Sequence, residues 1–350
     1  MDVISLDDGI HMCLCLICMG VITRLWIVIL FYFKSLAKEK ALRQLLSRAG
    51  KEILIKVVAQ SIPTYTMGVF QLPVKLCDEL NAMCTKFWWG QIGNEGKIHW
   101  RSWKVLTKAK KDGGMGFHDL RTFNLAMLAK QGWRLLHEKD SLLYGCFKAK
   151  YFPRGCFLEA TDGPNSSFVW KSLLAAQHIL KKGCCWRVGD GRSIRVMHDK
   201  WIPNYPTNQV LHPPLEAEED WRVSELMDWD GNGWDRGLIA VKFHREAAEA
   251  IVRIPLSRRT IPDSLVWLPN KEGVYTVKSG YFIASGLSRE MHGMEECSGV
   301  RNRGLIWPRL WKLHLPSKIK VFGWRACQEI LPTNENLARR QILEDGTCKL

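Results

Sequence analysis

The chain has 350 residues, of which 47% are hydrophobic and 24% are charged. This balance is that of a globular protein, so it excludes wholesale disorder, collagen and low-complexity sequence. Lys and Arg number 50 against 35 Asp and Glu, which gives a net charge of +15. Such an excess favours an anionic partner, with nucleic acid ahead of an acidic membrane surface. No motif identifies a small-molecule substrate.

The 12 cysteines are scattered along the chain rather than concentrated in a short framework. Some are neighbours, such as Cys184 and Cys185. Small secreted domains concentrate their cysteines in far fewer residues. We therefore expect reduced thiols and an intracellular protein.

The amino-terminal stretch Met12–Phe33 is 22 residues long and almost wholly apolar, which is long enough to span a bilayer. Arg24 near its middle opposes insertion by about 3 kcal/mol. The acidic residues Asp2, Asp7 and Asp8 argue against a cleaved signal peptide, whose leading region is basic. Two interpretations stay open: a transmembrane helix, or a buried helix or leader from a rearranged gene.

Apolar spacing and capping residues predict a series of helices along the rest of the chain. Pro63 ends the first, Pro73 precedes the second, and Asp119 caps the third. The predicted helices cover residues 35–62, 74–89, 120–137, 141–152, 167–181 and 235–253, a short helix near 279, and a helical module over 307–350.

Two short segments favour β-hairpins. Residues 184–198 alternate around a Gly189–Gly191 turn, and residues 265–268 and 274–277 flank a second turn. The predicted fold class is therefore mainly α with two small β-hairpins (α+β). We expect a multi-unit helical connector, not a doubly wound or barrel fold.

Charge and composition divide the chain into four predicted segments. Residues 1–34 are the apolar leader, and residues 35–203 are a basic helical connector that includes the hairpin 184–198. Residues 204–300 form an acidic segment with a hairpin and helices, and residues 301–350 form a basic helical module.

The glycine-rich stretch Lys111–Gly116 invites comparison with a phosphate-binding loop. It lacks the Lys-Ser/Thr of such a loop, and no predicted strand precedes it. The sequence therefore predicts a tight turn.

Most of the positive charge lies in residues 34–134, which hold 18 Lys and Arg against 7 Asp and Glu. Basic residues alternate there with Trp, so exposed indoles would stack on bases while ammonium groups contact phosphates. The alternative is that the indoles form core and the lysines surround them. The predicted nucleic-acid-binding residues are Lys86, Lys97, Arg101, Lys104, Lys108, Lys110 and Lys111.

Catalytic chemistry has little support in the sequence. No metalloprotease, nucleotide-binding or hydrolase signature occurs. Polymerases hold two metal ions with clustered carboxylates, and the Asp-Asp dipeptide of this chain, Asp7-Asp8, precedes the apolar leader. We therefore predict no catalytic residues and no resident cofactor. Cys348 would be one ligand of an incomplete zinc site, so zinc would need further ligands supplied from elsewhere.

A series of ordered motifs resembles plant LINE-type (non-LTR) retroelement reverse transcriptases, in the region after the polymerase domain. Trp311–Arg325 and Leu331–Asn334 look like the start of that family's zinc-binding module, and Cys348 matches its first ligand. The other motifs are Ser47–Lys56, Ile62–Tyr65, Phe87–Gly90, Lys97–Trp100, Gly113–Phe117, Phe123–Arg134, Lys150–Pro153 and Trp186–Gly191.

The resemblance implies a polyprotein with a polymerase palm domain upstream and often a ribonuclease-H-like domain downstream. We recognise neither in this chain, so we expect a non-catalytic fragment that binds RNA or DNA weakly and without sequence preference. The alternatives are a membrane-anchored protein of unknown role and a decayed reading frame without function. The expected location is the nucleus for a retroelement-derived protein, or a membrane if residues 12–33 insert.

Overall fold

A computed structural model describes residues 46–91, 97–211, 220–228, 233–257, 259, 261–291 and 305–344. The helices, in chain order, are α1 (Arg48–Leu54), α2 (Thr64–Met67), α3 (Val74–Trp89), α4 (Trp103–Leu106), α5 (Leu120–His137), α6 (Leu142–Tyr151), α7 (Phe168–Gly183), α8 (Arg236–Lys242), α9 (Arg245–Val252), α10 (Val277–Met291), α11 (Ile306–Lys312), α12 (Ser317–Cys327) and α13 (Asn334–Ala338). The strands are β1 (Cys184–Arg187), β2 (Met227–Asp228), β3 (Gly233–Trp234) and β4 (Ser264–Trp267).

The predicted fold class is confirmed. Helices dominate the described residues. The strands in this part of the chain form two antiparallel sheets of two strands each. One sheet joins β1 to β4, and the other joins β2 to β3.

The predicted hairpin over 184–198 is wrong in its strand partner. β1 pairs with β4 instead, from Cys184 opposite Trp267 to Arg187 opposite Ser264. The alternation along β1 correctly predicts a strand, but a pattern of period two does not say which strand lies beside it.

The second predicted hairpin is also wrong, although its turn is present. The backbone N–H of Trp267 donates to the carbonyl of Gly273 at 2.8 Å, and Asn270 Nδ2 donates to the carbonyl of Val274 at 2.9 Å. After this turn the chain forms no strand over 274–277 and enters α10, which is longer than the short helix expected there.

The predicted helix over 235–253 is divided into α8 and α9. Phe243 between them is extended, with φ −119° and ψ 148°. Its ring is buried and stacks on that of Trp221 with centroids 5.6 Å apart. The extended backbone at Phe243 separates the two helices, and its side chain packs in the core of the second unit.

The described residues form two compact units. The first contains the described residues up to Leu128, Asp162–Ala175 and those from Ala284 onward. Its core joins α1 and α3 to α11 and α12, which contribute Trp307 and Trp324. The second contains Ala129–Thr161 and Ala176–Ile283, with a core that includes Trp201 and Trp234. The four segments drawn from the sequence remain predictions.

Candidate nucleic-acid interface

Helix α3 places Lys86 on the surface of the first unit. Pro73 precedes the helix, and Gly90 ends it in the left-handed conformation with φ 77°. One face of α3 is buried, and Cys84 lies on that face. Burial raises the pKa of the Cys84 thiol to about 12, so this cysteine is a core residue and not a nucleophile. Lys86 lies in the last turn and is exposed.

Residues 97–111, here called the basic loop, continue from this surface. The loop contains α4 and turns back on itself, since the N–H of Met115 donates to the carbonyl of Leu106 at 3.0 Å. The N–H of Gly116 donates to the carbonyl of Lys108 at 2.9 Å. A Cβ on Gly114 would lie 2.0 Å from that Lys108 oxygen, so only glycine fits there. The glycine-rich stretch is therefore a tight turn, as predicted.

The seven predicted nucleic-acid-binding residues fall into two groups. Two of them are half-buried. Arg101 Nη2 donates to the carbonyl of Gln328 at 2.7 Å, and Lys110 Nζ lies 2.8 Å from Glu52 Oε1 and 4.1 Å from the centre of the Trp311 ring. The other five are exposed: Lys86, Lys97, Lys104, Lys108 and Lys111. Their role in binding stays a prediction.

The indoles among these basic residues belong to the core. Trp88, Trp89 and Trp100 are 1%, 3% and 8% exposed. Trp103 is half-buried and stacks on Phe117, with ring centroids 5.3 Å apart and planes 9° from parallel. Of the two interpretations left open by the sequence, the structure selects the packed core. The buried rings of Trp88, Trp89 and Trp100 do not offer a face on which bases stack.

The buried carboxylate of Glu52 forms ion pairs with two lysines, Lys56 and Lys110. Glu52 is 7% exposed, and its Oε1 lies 2.7 Å from Lys56 Nζ as well as close to Lys110. Lys56 also donates to the carbonyl of Met115 at 2.7 Å, which ties the segment directly after α1 to the glycine-rich turn. Burial lowers the pKa of Lys56, the carboxylate of Glu52 opposes this, and the charge of Lys110 adds to the lowering.

Positive charges crowd one another in this unit. Burial, together with the charge of Arg325, lowers the pKa of Arg48 to about 10. Burial and then the charge of Lys86 lower the pKa of His99. The cationic environment predicted from composition is thus present at individual side chains.

The carboxyl-terminal helices hold the turn that follows the basic loop. Trp324 Nε1 and Gln328 Nε2 each donate to the carbonyl of Gly113 at 2.8 Å. Gly113 has φ +83°, and a Cβ there would lie 2.9 Å from Trp307 Nε1. Arg340 Nη2 donates to the carbonyl of Trp100 at 3.2 Å. Nothing in the sequence indicated this docking, because the bonds join segments far apart in the chain.

Two predictions lie outside the described residues. Cys348 is the first, and the apolar stretch Met12–Phe33 is the second. Among the residues that the structure does describe, no helix is both long and apolar enough to cross a membrane. In that same part of the chain, His, Cys, Asp and Glu side chains form no cluster of three that would hold a metal ion. The described residues therefore do not assemble a zinc donor set.

Comparison with known proteins gives similarity over most of the chain. The family described as zinc-binding in reverse transcriptase matches residues 275–350. A putative ribonuclease H protein of Arabidopsis thaliana is 27% identical over 318 residues, which are 87% of this chain and 48% of that protein. An uncharacterized mitochondrial protein of Arabidopsis thaliana is 38% identical over 156 residues, which are 44% of this chain and 99% of that protein. The chain thus spans about half the length of the first relative and nearly all of the second.

Proposed function

The chain belongs to the plant proteins related to retroelement reverse transcriptases, and on this premise we propose that it binds RNA or DNA through the phosphate backbone, without reading base sequence. One observation carries the proposal. The basic loop contains six Lys and Arg and no Asp or Glu, and its exposed members surround a core of buried indoles. The binding surface is this loop together with Lys86.

Binding follows from simple electrostatics. Exposed ammonium groups neutralise phosphates and release the counterions condensed on them, so affinity falls steeply as salt rises. Phosphate contacts carry no sequence information directly. Since Trp88, Trp89 and Trp100 are buried, they do not add base stacking to the interaction. We expect weak binding that is similar for different sequences.

Filter binding over a salt series tests this proposal. Lys97→Gln combined with Lys108→Gln removes two exposed cations, and we expect the slope of log affinity against log salt to fall by about 2. The control pair is Lys139→Gln with Lys271→Gln, two exposed lysines of the second unit. We expect the control to bind like the wild type. Wild-type affinity that does not change with salt would contradict the proposal.

We further propose that this chain by itself does not catalyse nucleotide transfer. That reaction needs acidic side chains that converge on metal ions, and the sequence offers none in a recognisable setting. Primer extension with added magnesium tests the statement. Any template-dependent extension by the purified protein would overturn it.

A second candidate activity comes from the name of one relative, a putative ribonuclease H protein. The matching assay uses a labelled RNA–DNA hybrid with magnesium, with the same RNA strand alone as the control. We expect both to remain intact. Cleavage of the hybrid alone would establish this second candidate as an activity in addition to binding.

The proposal also extends to cofactor and location. We propose that Cys348 is one zinc ligand and, because a tetrahedral zinc site needs about four, that zinc is bound only when other ligands are supplied. We also propose that the protein acts inside the cell, in the nucleus if it is retroelement-derived. The zinc content of the purified chain, measured by atomic absorption, tests the proposal on zinc.

A further inference from the structure

Two stretches of this chain carry only positive charge. The basic loop holds six Lys and Arg without an acid, and residues 305–328 hold five, also without an acid. Asp112 directly follows the first stretch, and Glu329 directly follows the second. The second stretch contains α11 and α12 and lies within the part similar to the zinc-binding family.

Tertiary contacts bring these two stretches together within the first unit. Arg101 of the basic loop reaches the carbonyl of Gln328 at 2.7 Å, and Lys110 lies 4.1 Å from the Trp311 ring. Trp324 is fully buried and donates a hydrogen bond to the carbonyl of Gly113 in the glycine-rich turn. The attachment therefore combines hydrogen bonds, a cation–π contact and an apolar core.

Other cations of the two stretches remain exposed to solvent. Arg101 and Lys110 face the second stretch, whereas Lys97 and Lys108 of the loop are exposed. The second stretch likewise exposes cations, namely Arg309, Lys312 and Lys318. Two like-charged stretches repel each other unless packing holds them, and an anion that bridges them relieves the repulsion.

We infer that α11 and α12 bind nucleic-acid phosphates together with the basic loop, as one composite surface, and that they do so without zinc. This inference rests on the proposed function of the basic loop. A backbone with many phosphates suits such a surface, because each added cation contributes a further contact and a further released counterion. Zinc is not required, since buried indoles at Trp307 and Trp324 hold the two helices in place.

The test compares four versions of the 350-residue chain, and a fifth that combines two of them, by filter binding to one labelled DNA duplex over a salt series. They are the wild type, the loop pair Lys97→Gln/Lys108→Gln, the helix pair Lys312→Gln/Lys318→Gln, and the control pair Lys139→Gln/Lys271→Gln. All six lysines are exposed, so each variant should melt at the wild-type temperature. We expect the loop pair and the helix pair each to lower the salt slope by about 2 and the affinity at 0.1 M salt roughly ten- to a hundredfold. A protein carrying both pairs should lose about 4 from the slope.

The outcomes separate the two proposals. If the helix pair binds like the wild type while the loop pair loses affinity, the composite surface is wrong and the proposed function stands. If the wild type shows no salt-dependent binding, the proposed function fails and the inference fails with it. A zinc chelator should leave binding unchanged. Binding that is abolished by the chelator and restored by zinc would overturn the zinc-independent surface.

Discussion

The two units fasten a glycine-containing turn in opposite ways. In the first unit, side chains of Trp324 and Gln328 donate two hydrogen bonds to one backbone carbonyl, that of Gly113, at 2.8 Å each. In the second unit, the carboxylate of Asp263 accepts hydrogen bonds from three backbone N–H groups. The donors are Gly189 at 2.7 Å, Gly191 at 2.9 Å and Ser193 at 2.8 Å.

The two attachments differ in the interaction that supplies their stabilising free energy. Trp324 is 0% exposed, so the two neutral hydrogen bonds to Gly113 accompany extensive apolar burial. Asp263 is half-buried, and its contribution comes from charge-assisted hydrogen bonds. Both turns need glycine, because Gly113 and Gly191 have φ +83° and +70°. The first attachment should therefore be sensitive to lost volume, and the second to lost charge.

The largest expected effect follows from Trp324→Ala. Removing a fully buried indole and its bond to Gly113 should cost about 4 kcal/mol of unfolding free energy. Phe322→Ala on the same helix is the control, since that ring is 57% exposed and its loss should cost less than about 1 kcal/mol. Urea unfolding measures both. Equal losses would show that the two faces of α12 are packed alike.

A smaller effect is expected for Asp263→Ala in the second unit. Three backbone donors lose a charged acceptor, which should cost about 3 kcal/mol. Asp190→Ala is matched to it, because Asp190 lies in the same loop and accepts one bond, from the Arg192 N–H at 3.3 Å. That variant should lose less than about 1 kcal/mol. If the two variants unfold at the same urea concentration, the carboxylate of Asp263 does not hold the loop.

The smallest expected effect is the pH dependence of stability that His118 gives to the first unit. Burial, and then the charge of Lys56, lower the pKa of His118, whose ring stacks on Phe123 at 4.5 Å. The folded state thus favours the neutral imidazole. Its stabilising contribution is complete above the unfolded pKa of about 6.5 and is lost as the pH falls below that value.

His118→Phe keeps a stacking ring and removes the titration. We expect the melting temperature of the wild type to drop more than that of the variant between about pH 8 and pH 5.5. His99, whose pKa is also lowered, remains in both proteins as a shared background. A drop of the same size in both would assign the pH dependence to groups other than His118.

Local features of the fold were predictable from the sequence to a large extent. The N–H of Thr122 donates to Asp119 Oδ2 at 2.9 Å, as the predicted cap requires. Helix α3 begins after Pro73 and ends at Trp89, as expected. These predictions are confirmed because a helix end depends on residues within three or four positions of it.

The candidate site was predictable only in part. Charge density located the basic loop, but it did not separate Arg101 and Lys110, which contact other parts of the chain, from exposed residues such as Lys108. It placed Lys312 and Lys318 in the basic module over 301–350 but did not assign them to the binding surface. Alternation of Trp with Lys was compatible with a stacking surface and with a core, since neither spacing nor composition reports burial.

By itself, the sequence determined the mainly helical class, the helix caps, the glycine turns and the uneven distribution of charge, because each depends on neighbouring residues or on simple counts. Only the tertiary structure decided that β1 lies beside β4 and that α12 packs against the turn at Gly113. Such contacts join residues far apart in the chain, and the free energy that selects them comes from shape and burial that exist only after folding.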